Sequence, residues 1–205
     1  MSVTVGNILT LPSFKGAAIL AGAKALDKIV LQVSIADSPV TAVDYKVAKE
    51  GDFNLSGFYY ARENLASMYE FLNILIATNA SGLCLVDEYI HELPGEIVEF
   101  CDRMNFPVLL NDVNIPYSVM IREIIELLIS DGQRALMETK IDSLVNDVID
   151  DARKLLILRE INPKFMNYIS VIYVLPDESE AEGSLHPVLD FFNSSVVSSG
   201  VFYKG

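Results

Sequence analysis

Basic residues are scarce in this 205-residue chain: 15 Lys and Arg stand against 28 Asp and Glu, a formal net charge of −13 at pH 7. Nucleic-acid binding draws on clustered Lys and Arg that release counterions from phosphates, so duplex DNA and anionic membranes are poor direct partners. Cysteine is almost missing, and Cys84 and Cys101 lie in apolar contexts on different elements. They read as two reduced core thiols, because free Cys is among the most buried residue types. The two histidines, His91 and His186, are far apart and have no Cys or His at zinc spacing, so no metal site is expected. No run approaches the roughly 18 to 20 continuous apolar residues of a membrane-spanning helix. The opening MSVTVGNILTLPSFKG lacks the basic and long apolar regions of a secretory signal, and the expected compartment is a bacterial cytoplasm. Phosphate-binding glycine loops and the G-x-S-x-G hydrolase elbow are also absent. No catalytic residue, cofactor or internal repeat is predicted.

What is present points to a folded body. Hydrophobic residues make up 51% of the chain, too many for a disordered polymer, and the length suits one or two domains of roughly 150 residues. Thr4 caps a short helix that Pro12 stops, and Ala17 to Leu20 is an apolar run ending at Ala21-Gly22. Ile29 to Ile35 is rich in β-branched residues and ends at the Asp37-Ser38-Pro39 turn. Phe53 to Tyr60 suggests a strand interrupted by Gly57. From Arg62 to Ala77 the apolar residues fall at helical steps. Gly82 to Val86 and Pro107 to Leu110 are continuous apolar strands of the kind buried on both faces of a parallel sheet. Helices follow from Pro94 and from Pro116. This alternation predicts an α/β fold over residues 1–130, a mostly parallel sheet with flanking helices.

Asp131-Gly132 is expected to break that pattern. A long helix is predicted from about Gln133 to Ile161, with an approximate four-three stripe of Met137, Ile141, Leu144, Val148, Leu155 and Leu158, broken where Asp151 takes an apolar slot. The stripe must bury itself on the first domain or on its own copy, and its length and flanking charge favour a homodimer through helix 133–161. Asp142, Asp147, Asp150 and Asp151 read as solvated face. Residues 162–205 read as an incomplete second α/β segment, with a strand at Tyr168 to Leu175, a helix at His186 to Val197 and another strand from Val201. The whole is expected to be the front part of something longer.

No constellation announces chemistry, so the functional reading is positional: ligands of open α/β sheets settle beyond the carboxyl ends of strands. The residues placed there are Asp37, Ser38, Ser56, Tyr59, Tyr60, Asp87, Asn111 and Asp112, with Tyr89, His91 and Asn114 nearby. Hydroxyls, amides and carboxylates beside aromatic rings suit a small heterocycle or polar metabolite. The same Asp, Asn and Ser also suit plain helix caps and turns. A phospho-acceptor receiver domain is excluded, since no acidic pair follows a first strand and no Lys follows the Pro107 strand.

The segment VGNILTLPSFKGAAILAGAKALDKIVLQVSIADSP, with Leu9 to Pro12, Ala21-Gly22, Leu26-Asp27 and Val33 to Ile35, resembles the N-terminal domain of PucR-type transcriptional regulators, the purine catabolism regulatory protein-like family. Gly51 to Ser56, Ser81-Gly82-Leu83, Leu93-Pro94 and Phe106 to Leu109 continue the resemblance, which covers about residues 3–130. One departure is the aromatic Ser56-Gly57-Phe58-Tyr59-Tyr60, where the family carries a hydroxyl-rich strand end. The resemblance implies a sensory domain of a transcriptional regulator, not an enzyme. It further implies a degenerate cyclase-like (GGDEF-like) middle domain beginning near residue 165 and DNA contact through a helix-turn-helix outside this chain. Two alternatives remain: an accessory N-terminal domain of an enzyme, as in Mur ligases or HPr kinase, and a purely structural oligomerisation unit.

Overall fold

The computed structural model describes residues 2–37 and 49–164, and the chain divides into two compact units, Met1–Gln133 and Arg134–Gly205. The first unit opens with α1 (Val5–Ile8). Thr4 caps it in a reciprocal box with Asn7, which satisfies backbone donors that four residues of helix leave open. A single turn at Pro12–Phe14 leads to β1 (Ala18–Ala21). There follow β2 (Gln32–Ile35), β3 (Asp52–Ser56), α2 (Leu65–Ala77), β4 (Gly82–Val86), α3 (Gly95–Arg103), β5 (Val108–Asn111) and α4 (Tyr117–Asn146).

The five strands form one sheet in the order β1-β5-β4-β3-β2. β2 to β5 are parallel neighbours, and β1 joins β5 antiparallel. The mostly parallel α/β body predicted from the alternating apolar runs is therefore the observed one. Alternation along the strands sorts the core into two layers. Leu83, Leu85 and Val108 face α2 and α3, packing with Leu72, Leu75, Ile97 and Phe106. Phe53, Leu55, Cys84, Val86 and Leu109 face α1 and the start of α4, packing with Ile8, Phe14, Met120 and Ile124. Each fully buried Leu or Phe of these layers contributes about 1.5–3 kcal/mol. The two cysteines are free and buried, one in each layer.

Two expectations need correction. The strand read over Phe53 to Tyr60 ends at Ser56. Phe58 takes a left-handed conformation, φ 59°, and turns Tyr59 and Tyr60 out to solvent, where they are 46% and 43% exposed. The helix read over 133–161 is in fact two. α4 already begins at Tyr117 and runs through Asp131-Gly132 without a break. One glycine costs a helix only about 1 kcal/mol, which the packing of Met120 and Ile124 offsets. The chain leaves helical conformation at residues 147–150 instead, and α5 (Asp151–Ile161) starts afresh. Here Asp150 is the N-cap, its carboxylate accepting from the Arg153 amide at 2.8 Å. Asp147 accepts from the Ser143 hydroxyl at 2.6 Å. Asp150 thus starts a helix, a role beyond that of a solvated face.

In the second unit, Lys140 and Glu160 form a 3.2 Å ion pair between α4 and α5, a partly exposed contact of small energetic weight. Leu136, Val145 and Leu156 lie exposed. The elements predicted beyond residue 164, and Ser38-Pro39, fall outside the described residues. Among the described residues no helix is long and apolar enough to cross a membrane.

Candidate functional site

The site is built at the carboxyl ends of β2, β3 and β4. Asp37 follows β2, and its carboxylate accepts from the Ser56 hydroxyl at 3.0 Å and from the Gly57 amide at 2.6 Å. Ser56, at the end of β3, also lies 2.8 Å from the Ala36 carbonyl and accepts from the Phe58 amide at 2.9 Å. A third donor reaches Asp37 from across the site: the phenol of Tyr117, first residue of α4. Burial holds the Tyr117 phenol well above its usual range, and the charge and hydrogen bond of Asp37 add to that shift. Asp37 therefore clamps the ends of two strands and the start of a helix.

That clamp fixes an otherwise unfavourable turn. Bulky residues at positive φ cost on the order of 1–3 kcal/mol and persist only where their surroundings over-determine them. Here Ser56 takes the Phe58 amide, and the Phe58 ring is buried edge-on against Phe71 of α2, centroids 5.3 Å apart. The consequence is an aromatic lip. Tyr59 meets Tyr60 at 5.2 Å and 86°, and Tyr89, from the loop after β4, at 5.1 Å and 74°. The Arg62 guanidinium lies 4.2 Å from the Tyr59 ring centre and 4.8 Å from that of Tyr89. The Tyr89 hydroxyl is hydrogen-bonded to Glu88, which raises its pKa, with desolvation adding to the effect. Beside the lip a narrow cleft, with no room for a water molecule as it stands, is lined by Asp37, Ser56, Phe58, Tyr59, Tyr60 and Phe71, among others.

Of the residues predicted for the site, Asp37, Ser56, Tyr59 and Tyr60 line this cleft. Asp87 follows β4 on the same edge and pairs with His91, both partly or largely exposed. Asn111 and Asp112 do not join them. Asn111 is buried and donates to the Ser13 carbonyl at 2.9 Å and to the Met120 sulfur at 3.1 Å. Asp112 closes a turn by accepting from Asn114 at 2.8 Å. Ser38 lies outside the described residues. Sequence reasoning missed Arg62 and Tyr117. The spacing of Arg62, three residues after Tyr59, was the available signal for the first; Tyr117 had none, because only the fold brings α4 to Asp37.

The sheet order explains the small size of the cleft. α2 and α3 lie on one face, and β2 to β5 follow in unbroken sequence. Among the described residues no reversal of strand order opens the crevice that such sheets use for large cofactors. No group of three or more His, Cys, Asp or Glu placed to hold a metal occurs among those residues.

The model of the purine catabolism regulatory protein-like (PucR) family matches residues 7–128. No curated protein matches the chain. Among solved structures, the CBS and DRTGG domains of the regulatory region of Clostridium perfringens pyrophosphatase, complexed with the activator diadenosine tetraphosphate, are similar at 18% identity and a TM-score of 0.40. That match covers 60% of this chain and 45% of the other, so this chain spans less than half of its length.

Proposed function

This chain belongs to the purine catabolism regulatory protein-like family, and from that premise we propose that its first unit is the effector-sensing module of a cytoplasmic bacterial transcriptional regulator. In this reading a small metabolite binds at the carboxyl ends of β2 to β4, and the second unit supplies a homodimer contact through α4 and α5. DNA contact belongs to a helix-turn-helix outside these 205 residues, in keeping with the net charge of −13.

One observation carries the reading: three solvent-facing tyrosines converge at the strand ends on a turn held in a strained conformation by a buried hydroxyl and a carboxylate. Strain of this kind is concentrated at functional sites. Tyr117 offers a path for the signal, because a ligand that alters Asp37 acts directly on the start of α4. A ligand shifts that arrangement only through its differential affinity for two states.

Isothermal titration with purine intermediates, sugars and amino acids, alongside light scattering, tests the proposal. One metabolite class is expected to bind the wild type, and Tyr59→Ala is expected to weaken it at least tenfold, since stacking on one aromatic ring is worth about 1–3 kcal/mol. Binding unaffected by Tyr59→Ala, or no heat with any compound, would leave dimerisation as the remaining role.

A further inference from the structure

The aromatic lip holds a positive charge already. Arg62 places its guanidinium over two tyrosine faces at 4.2 and 4.8 Å, from rings set at 74° to each other. That is the arrangement by which aromatic cages recognise cationic ligands, with the chain's own side chain in the ligand's place. The surroundings favour positive charge further. Glu88 is bonded to the Tyr89 hydroxyl, Asp87 sits on the same strand end with His91 as partner, and Asp37 lies in the adjoining cleft. Against these carboxylates Arg62 is the cation that touches the rings among the described residues; its side chain is exposed, on a single-turn segment, Ala61–Glu63, that buried Ala61 anchors and whose N-cap makes no side-chain hydrogen bond. Among the described residues Arg62 forms no ion pair within 4.0 Å, and the contacts of its head group there are the two ring faces.

We propose that the Tyr59–Tyr89 lip is a cation-binding site for which Arg62 is the resident occupant, and that the effector is a small organic cation of the guanidinium or alkylammonium class that displaces it. This inference rests on the reading of the strand ends as an effector site and adds the charge class of the ligand. Arg62 then acts as an internal competitor. Its presence lowers the apparent affinity by the fraction of time it occupies the rings, and its release frees the segment just ahead of α2. Tyr59 touches Tyr60 and Tyr89 alike, so an incoming cation meets the same two faces that Arg62 vacates.

The test is a titration of the full chain, at constant ionic strength, with an alkylguanidinium and a tetraalkylammonium salt against the neutral alkylurea of the same shape, followed by tyrosine-ring NMR shifts. The cations are expected to saturate and the urea is not. Arg62→Gln, which keeps much of the stem and removes the charge, is expected to tighten cation binding about tenfold, since two cation–π contacts are released for the ligand. Arg122→Gln, the same charge change on α4, is expected to leave it unchanged, and Tyr59→Ala in the Arg62→Gln background to abolish it. Equal tightening by Arg122→Gln, or no tightening by Arg62→Gln, overturns the proposal. Tyr59-dependent binding of neutral or anionic metabolites alone overturns the cation class and leaves the effector site standing. No binding of any compound overturns both.

Discussion

Gly22→Ala is expected to destabilise the first unit by about 4 kcal/mol and to lower its melting midpoint by roughly 10 °C or more. Two penalties act together. Gly22 has φ +68°, in the left-handed region, and an added Cβ would lie 2.6 Å from the Pro107 Cα and closer still to the Phe106 carbonyl. Backbone, not a flexible side chain, occupies that space. The close approach has a structural purpose: it lets β1 end beside the start of β5, with the Gly22 amide donating to Asp102 of α3 at 2.6 Å. Gly16→Ala is the control, since its Cβ would meet nothing within 4 Å. Thermal unfolding followed by circular dichroism separates the two, and equal midpoints for both variants would contradict the packing described at Gly22.

Alkaline pH is expected to unfold the protein through its two thiols. Burial pushes Cys84 from 9.0 up to about 12, and burial with the neighbouring Asp102 charge does the same for Cys101. Between those values the unfolded chain has released protons that the folded chain retains, so rising pH favours unfolding. Stability from this source is whole below pH 9 and declines above it by about 1.4 kcal/mol per pH unit for each thiol. By roughly pH 10.5 the pair accounts for about 4 kcal/mol. Tyr117, also raised, acts in the same direction, and Lys28, lowered by burial, opposes it. Urea unfolding at several pH values is the measurement. The double variant Cys84→Ala/Cys101→Ala is expected to be less stable at pH 7, from lost packing, yet to lose less stability between pH 9 and 10.5. An alkaline decline unchanged in the double variant would contradict the assignment.

The parts of the fold legible in the sequence are those where hydrophobic burial alone dictates structure. Gly82 to Val86 is apolar throughout because both its faces are covered. The helices after Pro94 and Pro116 were visible for the same reason, as apolar stripes with a proline at the start. Where local signals compete, the sequence misled. Asp131-Gly132 has the composition of a breaker, but tertiary packing one turn earlier carries α4 through it. The true interruption, at residues 147–150, hides behind Val148 and Ile149, which resemble members of an apolar stripe until Asp150 is recognised as a cap.

The candidate site was legible by position and not by contact. Strand ends predicted where Asp37, Ser56 and the tyrosines would lie. The left-handed turn at Phe58 was not visible, because only the pocket formed by Ser56 and Phe71 makes that conformation tolerable for a bulky residue. Asn111 had the right chemistry at the right strand end, but β5 lies next to β1 and turns its side chain toward Ser13 and Met120. Tyr117 reaches the site only across the fold, whereas Arg62 stands three residues after Tyr59.

The most direct measurement is a backbone-amide NMR titration of the chain with whichever metabolite calorimetry identifies. If the first unit senses its effector at the strand ends, the largest shifts will fall at Asp37, Ser56 to Ala61 and Asp87 to His91, with smaller ones passing through Tyr117 into α4. Shifts centred instead on the open groove of Pro12, Arg122, Glu123 and Leu127, with the tyrosine lip silent, would contradict that account.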